Sequence, residues 1–120
     1  MGMTLGDIRG VLGALALTRR GDMNMSVGRA FCADLMSDVL AFSVTDSLLI
    51  TGLTNVQAIR TADVANVKAI VFVQNKRPDI ETVAVAEAKN IPLFVTGLSM
   101  FDVCGRLYEK GLRSQEGKDG

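Results

Sequence analysis

The sequence contains no histidine, so the commonest general base near neutral pH and the commonest metal ligand are both missing. It carries no net charge, because thirteen basic residues balance thirteen acidic ones. That gives no reason to expect a nucleic-acid partner, where a basic stripe should show, and it leaves little attraction to an anionic membrane. Its apolar runs fall far short of the ~20 residues of a membrane span. The opening Met1-Gly2-Met3-Thr4-Leu5-Gly6-Asp7 lacks the basic-then-apolar order of a secretory signal. Gly6 stands where a myristoylation motif needs Ser or Thr. Only two cysteines are present, Cys32 and Cys104. They are too few for a disulfide framework, they lie at no metal-ligand spacing, and they read as reduced, partly buried thiols of a cytoplasmic protein. There is no phosphate loop of the G-x-x-x-x-G-K-[ST] type, no dinucleotide fingerprint after a strand and no nucleophile elbow.

What remains is a chain built to bury surface. Its 120 residues are 48% hydrophobic and 22% charged, which suits one domain that hides roughly two-thirds of its unfolded surface. One stretch occurs twice. Leu48-Leu49-Ile50-Thr51-Gly52-Leu53-Thr54-Asn55 and Leu93-Phe94-Val95-Thr96-Gly97-Leu98-Ser99-Met100 are both apolar runs ending in Thr-Gly-Leu and a hydroxyl residue. This is how a buried parallel strand hands over to a helix. Between them lies the wholly apolar strand Ala69–Val73, with no polar alternation, as expected of a central strand covered on both faces.

Around this frame the pattern predicts further elements. A helix runs from Thr4 to Leu12, capped by Thr4 with Asp7 three residues on, and Gly13 stops it. Short strands follow at Ala14–Leu17 and Ser26–Cys32, separated by a solvated Arg19-Arg20-Gly21-Asp22 turn. Asp34 is expected to cap a helix through Leu40 that buries Leu35, Met36, Val39 and Leu40. Thr54 with Gln57 opens the next helix, which carries Val56, Ile59 and Ala62. Pro78-Asp79 starts another, with Ile80, Val83, Ala84 and Ala88 inward and Asn90 as its left-handed stop. Ser99 caps the last helix, with Asp102 three residues on. Its stripe is Met100, Val103, Cys104 and Leu107, and Phe101 and Tyr108 form a second apolar edge wide enough to pack on another subunit. Residues 1–112 form the domain and 113–120 a flexible tail.

The resulting fold class is α/β: a mostly parallel central sheet flanked by helices in a single three-layer domain. The right-handed crossover rule puts the carboxyl ends of the three strands on one edge. Ligands bind at such edges, so the candidate binding residues are Thr51, Gly52, Thr54, Asn55, Gln74, Asn75, Lys76, Arg77, Thr96, Gly97 and Ser99. Helix N-termini attract anions, and Lys76 and Arg77 would add charge. The alternative is that the hydroxyl residues only cap helices and the glycines only permit tight turns. Asp34 and Asp38, a helical turn apart, are the one pair that suggests a cation or an acid/base couple. No cofactor is implied.

From Val27 to Leu112 the chain resembles the DRTGG domain family. The resemblance lies in Val27-Gly28, Ala33-Asp34-Leu35-Met36-Ser37-Asp38-Val39, Asp46-Ser47-Leu48-Leu49-Ile50-Thr51-Gly52, the Ala69–Val73 strand, Pro78-Asp79, Ile91-Pro92-Leu93, and the closing Phe101-Asp102-Val103-Cys104-Gly105-Arg106-Leu107-Tyr108. The last run looks most like small stand-alone members associated with iron-only hydrogenases. Related domains form the amino-terminal part of HPr kinase and sit beside CBS modules in regulated pyrophosphatases. The resemblance implies a non-enzymatic regulatory or assembly role, a homodimer, and a possible hydrogenase-related protein partner. Where many relatives carry Gly-Asp-Arg this chain has Gly52-Leu53-Thr54, and where they carry Thr-Gly-Gly it has Val73-Gln74-Asn75.

Overall fold

The computed structural model describes residues 2–19, 23–42 and 45–114. Its centre is a five-stranded sheet built from β2 (Leu15–Ala16), β4 (Arg29–Cys32), β5 (Ser47–Thr51), β6 (Ala69–Phe72) and β7 (Leu93–Val95), in the order β2-β7-β6-β5-β4. β4 to β7 are parallel, and β2 closes the β7 edge antiparallel through Leu15 opposite Val95. A two-stranded antiparallel ribbon of β1 (Met3–Thr4) and β3 (Ser26–Val27) stands apart. The α/β class and the mostly parallel sheet agree with the sequence reading.

The four parallel strands follow one another across the sheet without reversal. Right-handed crossovers then force the three connecting helices onto one face. These are α2 (Met36–Phe42), α3 (Val56–Val64) and α4 (Ile80–Ala88), and they bury Val39, Ile59, Ala62 and Ala86 against Leu49, Ile70, Phe72, Leu93 and Val95. The opposite face belongs to α1 (Leu5–Leu12) and α5 (Met100–Glu109). Leu5, Ile8, Leu12, Val103 and Leu107 pack there on Leu48, Ile50, Ala69, Val71, Val73 and Phe94. Adjacent residues of each central strand therefore serve different cores, and for that reason β5 and β6 read as continuous apolar runs.

Several local devices match the sequence reading. Thr4 and Asp7 form a reciprocal capping box, Gly13 takes a left-handed conformation at φ 57°, and Asn90 does so at φ 58°. The Ser99 hydroxyl accepts from the Asp102 N–H at 3.1 Å, and Asp79 caps α4 through the Thr82 N–H at 2.8 Å.

Other expectations are corrected. The predicted Ser26–Cys32 strand is two strands broken at Gly28, where a Cβ would lie 2.5 Å from the Asp46 carboxylate. That carboxylate is held by Lys68 Nζ at 2.7 Å, so the chain needs a bare backbone there. The cap of α3 is Asn55, not Thr54. On α2 only Val39 is fully buried; Leu35 and Leu40 face solvent, at 63% and 53% exposure. On α4 Thr82 and Ala86 are buried and Val83 packs against the same core as expected, whereas Ile80 is 87% exposed and Ala84 and Ala88 face out. Both helices are apolar on more than one side, so hydrophobicity alone does not fix their rotation. Arg113 is no tail residue: its carbonyl accepts from the Ala30 N–H at 3.1 Å beside the β4 edge, and its guanidinium lies 3.6 Å from the centre of the Tyr108 ring. Of the Arg19–Asp22 turn, Arg20, Gly21 and Asp22 fall outside the described residues, as does the tail from 115 onward.

One buried polar atom has no hydrogen bond to the described residues. The Ser47 hydroxyl sits fully buried at the start of β5. Replacing Ser47 with Ala removes that atom while keeping the backbone bond from the Lys68 N–H to the Ser47 carbonyl. The variant is expected to be as stable as the parent or more stable by up to ~1 kcal/mol, read from urea unfolding midpoints.

Candidate functional site

Four loops leave the carboxyl edge of the sheet, and those after β5, β6 and β7 carry the binding residues that the sequence nominates. The two Thr-Gly-Leu copies prove to be the same device. Thr51 Oγ1, fully buried, accepts from the Leu53 N–H at 3.1 Å and donates to Asp34 Oδ1 at 3.0 Å. Thr96 Oγ1, also buried, accepts from the Leu98 N–H at 3.2 Å and donates to the Leu12 carbonyl at 2.8 Å. Each hydroxyl closes its own turn and ties the strand end to another segment. Asp34, expected as a helix cap, also accepts from the Gly52 N–H at 2.8 Å and so clamps the loop after β4 to the loop after β5. Its carboxylate serves the turn, and no group of three metal-ligating side chains occurs among the described residues.

Thr51, Gly52 and Lys76 come together around Asp34. A Cβ built on Gly52 would lie 3.3 Å from Lys76 Nζ and 3.7 Å from Asp34 Oδ1. Gln74, Asn75, Thr96 and Gly97 form a second group. The Gln74 N–H donates to the Leu98 carbonyl and the Asn75 N–H to the Thr96 carbonyl, both at 2.9 Å. The Asn75 amide packs on Gly97, 3.3 Å from where its Cβ would be. Gln74 and Asn75 reach these partners by adopting left-handed conformations, φ 57° and 56°. Asn55 and Ser99 spend their side chains on helix caps. Lys76 and Arg77 are exposed, and their side chains form no hydrogen bond or ion pair with the described residues.

The topology explains the second group. The helix after β6 goes to one face and the helix after β7 to the other. Neighbouring strands whose connections diverge open a crevice, the usual ligand site in such sheets. Here the backbone bonds from Gln74 and Asn75 stitch that crevice closed.

A different concavity escaped the sequence reading. A groove of about 720 Å³ runs along the free edge of β4 between α2 and α5. Its lining includes Phe31 and Phe42 on the α2 side, with Cys32, Cys104 and Tyr108 on the α5 side. Cys32 is exposed rather than partly buried, and Cys104 is half-buried. Burial pushes the Cys104 thiol up to about 12, and the adjacent Cys32 reinforces the shift. The two cysteines are remote in sequence, so only the register of β4 against the sheet and the pitch of α5 bring them together.

These features define a small α/β domain with a closed crevice, a basic lip and an apolar side groove. No protein-family model matches the sequence, and no curated protein matches it. Among solved structures the chain is similar to the CBS and DRTGG domains of the regulatory region of *Clostridium perfringens* pyrophosphatase, determined with the activator diadenosine tetraphosphate. The TM-score is 0.73 at 17% identity, over 88% of this chain and 46% of that one. The chain thus spans about half of that region, and the likeness is one of fold.

The Asp34 clamp is testable. Asp34→Ala leaves the buried Thr51 hydroxyl without an acceptor and is expected to cost about 1–3 kcal/mol in urea unfolding. Asp34→Asn, whose carbonyl still accepts, should cost less. In a double-mutant cycle with Thr51→Val the two losses should fall short of additive, because both remove one interaction.

Proposed function

We propose that this chain is a non-enzymatic regulatory or assembly module, acting as a homodimer in the cytoplasm. The observation that carries the reading is the fold shared with a pyrophosphatase regulatory region over 88% of the chain. The DRTGG resemblance of the sequence supports it from a second direction. The apolar surface of α5 supports the dimer: Phe101 is 85% exposed and Tyr108 55%. Both lie on the outer side of a helix whose inner residues Val103 and Leu107 are fully committed to the core. Among the described residues no helix is long and apolar enough to cross a membrane. The resemblance also supplies a candidate partner, an iron-only hydrogenase or a protein of its assembly, for direct binding measurements with purified components.

Light scattering on the eluting peak of a sizing column should give twice the chain mass at micromolar concentration. Phe101→Asp should give the monomer mass and keep the parent's far-ultraviolet circular dichroism, with a melting temperature lowered only by the lost association. A monomeric parent protein would remove the dimer.

A second reading is favoured by Lys76, beside Gly52, and the exposed Arg77, whose side chains have no polar partner among the described residues. It makes the module a sensor for a nucleotide or another anion at the carboxyl ends of the strands. The related pyrophosphatase region was solved with a dinucleoside polyphosphate activator. Thermal-shift titration with nucleotides, diadenosine tetraphosphate and acyl phosphates tests it. A ligand at 100 times its dissociation constant should stabilise the fold by ~2.7 kcal/mol. Lys76→Ala should abolish the shift, and no shift at millimolar ligand would rule the reading out.

A further inference from the structure

We propose that Cys32 and Cys104 form a thiol–disulfide exchange site for low-molecular-weight disulfides, opening on the groove beside β4. Three observations place the pair. Cys32 is the last residue of β4, and Ala30, two residues before it, packs into the core under α5; strand alternation therefore aims Cys32 at the same helix. Cys104 stands on α5 between the buried Val103 and Leu107 and packs against that same core. Both thiols line one groove, and Cys32 lies near enough to Cys104 to help push its thiol pKa up. The arrangement is asymmetric. Cys32 is exposed and meets a reagent first; Cys104 is half-buried and behind it.

The chemistry follows from that asymmetry. The Cys32 thiolate attacks one sulfur of a small disulfide such as oxidised glutathione. A bond forms between Cys32 Sγ and that sulfur, the small disulfide bond breaks, and the released thiolate takes up the proton that Cys32 lost. Cys104 then loses its proton and attacks Cys32 Sγ. The protein disulfide forms, the mixed disulfide breaks, and a second small thiol leaves with the proton from Cys104. Two protein thiols and one small disulfide become one protein disulfide and two small thiols, with electrons balanced. The crosslink fastens the edge strand to α5 across the groove. Burial disfavours the Cys104 thiolate, so the second step quickens as pH rises.

The full chain, incubated with oxidised glutathione and followed by intact mass and thiol titration, provides the test. The parent should lose both titratable thiols and two hydrogens in mass while remaining a single chain on a non-reducing gel. Its melting temperature should rise by about 5–15 °C, reversibly with reductant. Cys104→Ala should stop at a stable glutathione adduct on Cys32. Cys32→Ser should leave Cys104 unmodified over the same time. A parent that keeps the adduct, forms only interchain disulfides or does not react overturns the proposal. Tyr108 lines the groove and also belongs to the proposed dimer face, so the same incubation of the Phe101→Asp variant separates the two readings: the intramolecular disulfide should form there as well.

Discussion

Two threonine hydroxyls hold the carboxyl edge of this sheet to the layers around it. Thr51 and Thr96 end β5 and β7, each is buried, and each uses its oxygen as acceptor for its own turn and its hydrogen for a distant acceptor. The partners differ in a way that matters. Thr51 donates to Asp34, on the loop leading to α2, whereas Thr96 donates to the carbonyl of Leu12, the last residue of α1. One edge is thereby bonded to both helical layers. A buried hydroxyl left without partners costs free energy that a small domain cannot easily spare. Gly52 and Gly97 each follow their threonine into a turn where an added Cβ would sit 3.3 Å from the exposed Lys76 or Asn75 side chain.

The edge that looked like a binding cleft is thus occupied by the chain itself. A monotonic strand order sends three helices to one face, and only the step from β7 to α5 crosses to the other. The single crevice this topology creates lies between β6 and β7. There Gln74 and Asn75 accept left-handed backbones, unusual for residues with a Cβ, in exchange for bonds to Leu98 and Thr96. Any anion at this edge meets the outer lip, where Lys76 and Arg77 project, and not a pocket between strands.

The sequence made these elements legible wherever the signal was local. A capping side chain three residues before its N–H partner marked Thr4, Asp79 and Ser99, and the unbroken apolar run Ala69–Val73 marked the central strand. Rotation was illegible where a helix has apolar residues all round. Ile80-Glu81-Thr82-Val83-Ala84-Val85-Ala86 offers several faces of similar hydrophobicity, and the choice of Thr82 and Ala86 as the buried pair follows from packing against α3 and the sheet. Asp34 was misassigned because its partners, Thr51 and Gly52, are reached only after β4 and β5 are placed side by side. The Cys32–Cys104 approach was hidden for the same reason.

An exposed edge strand invites pairing with other chains, and β4 is one of the two edge strands of this sheet. The protein manages it in part. β4 is only four residues long, the break at Gly28 separates it from the ribbon strand, and Arg113 returns to bond Ala30 at its beginning. The other end, at Cys32, lies open beside the exposed Leu35 and Phe42. An oxidised Cys32–Cys104 pair would fasten that open end to α5, much as Arg113 fastens the beginning. Cys32 is only two residues from Asp34, around which Thr51, Gly52 and Lys76 gather. A crosslink at the groove would therefore act on the segment that also carries the Asp34 clamp.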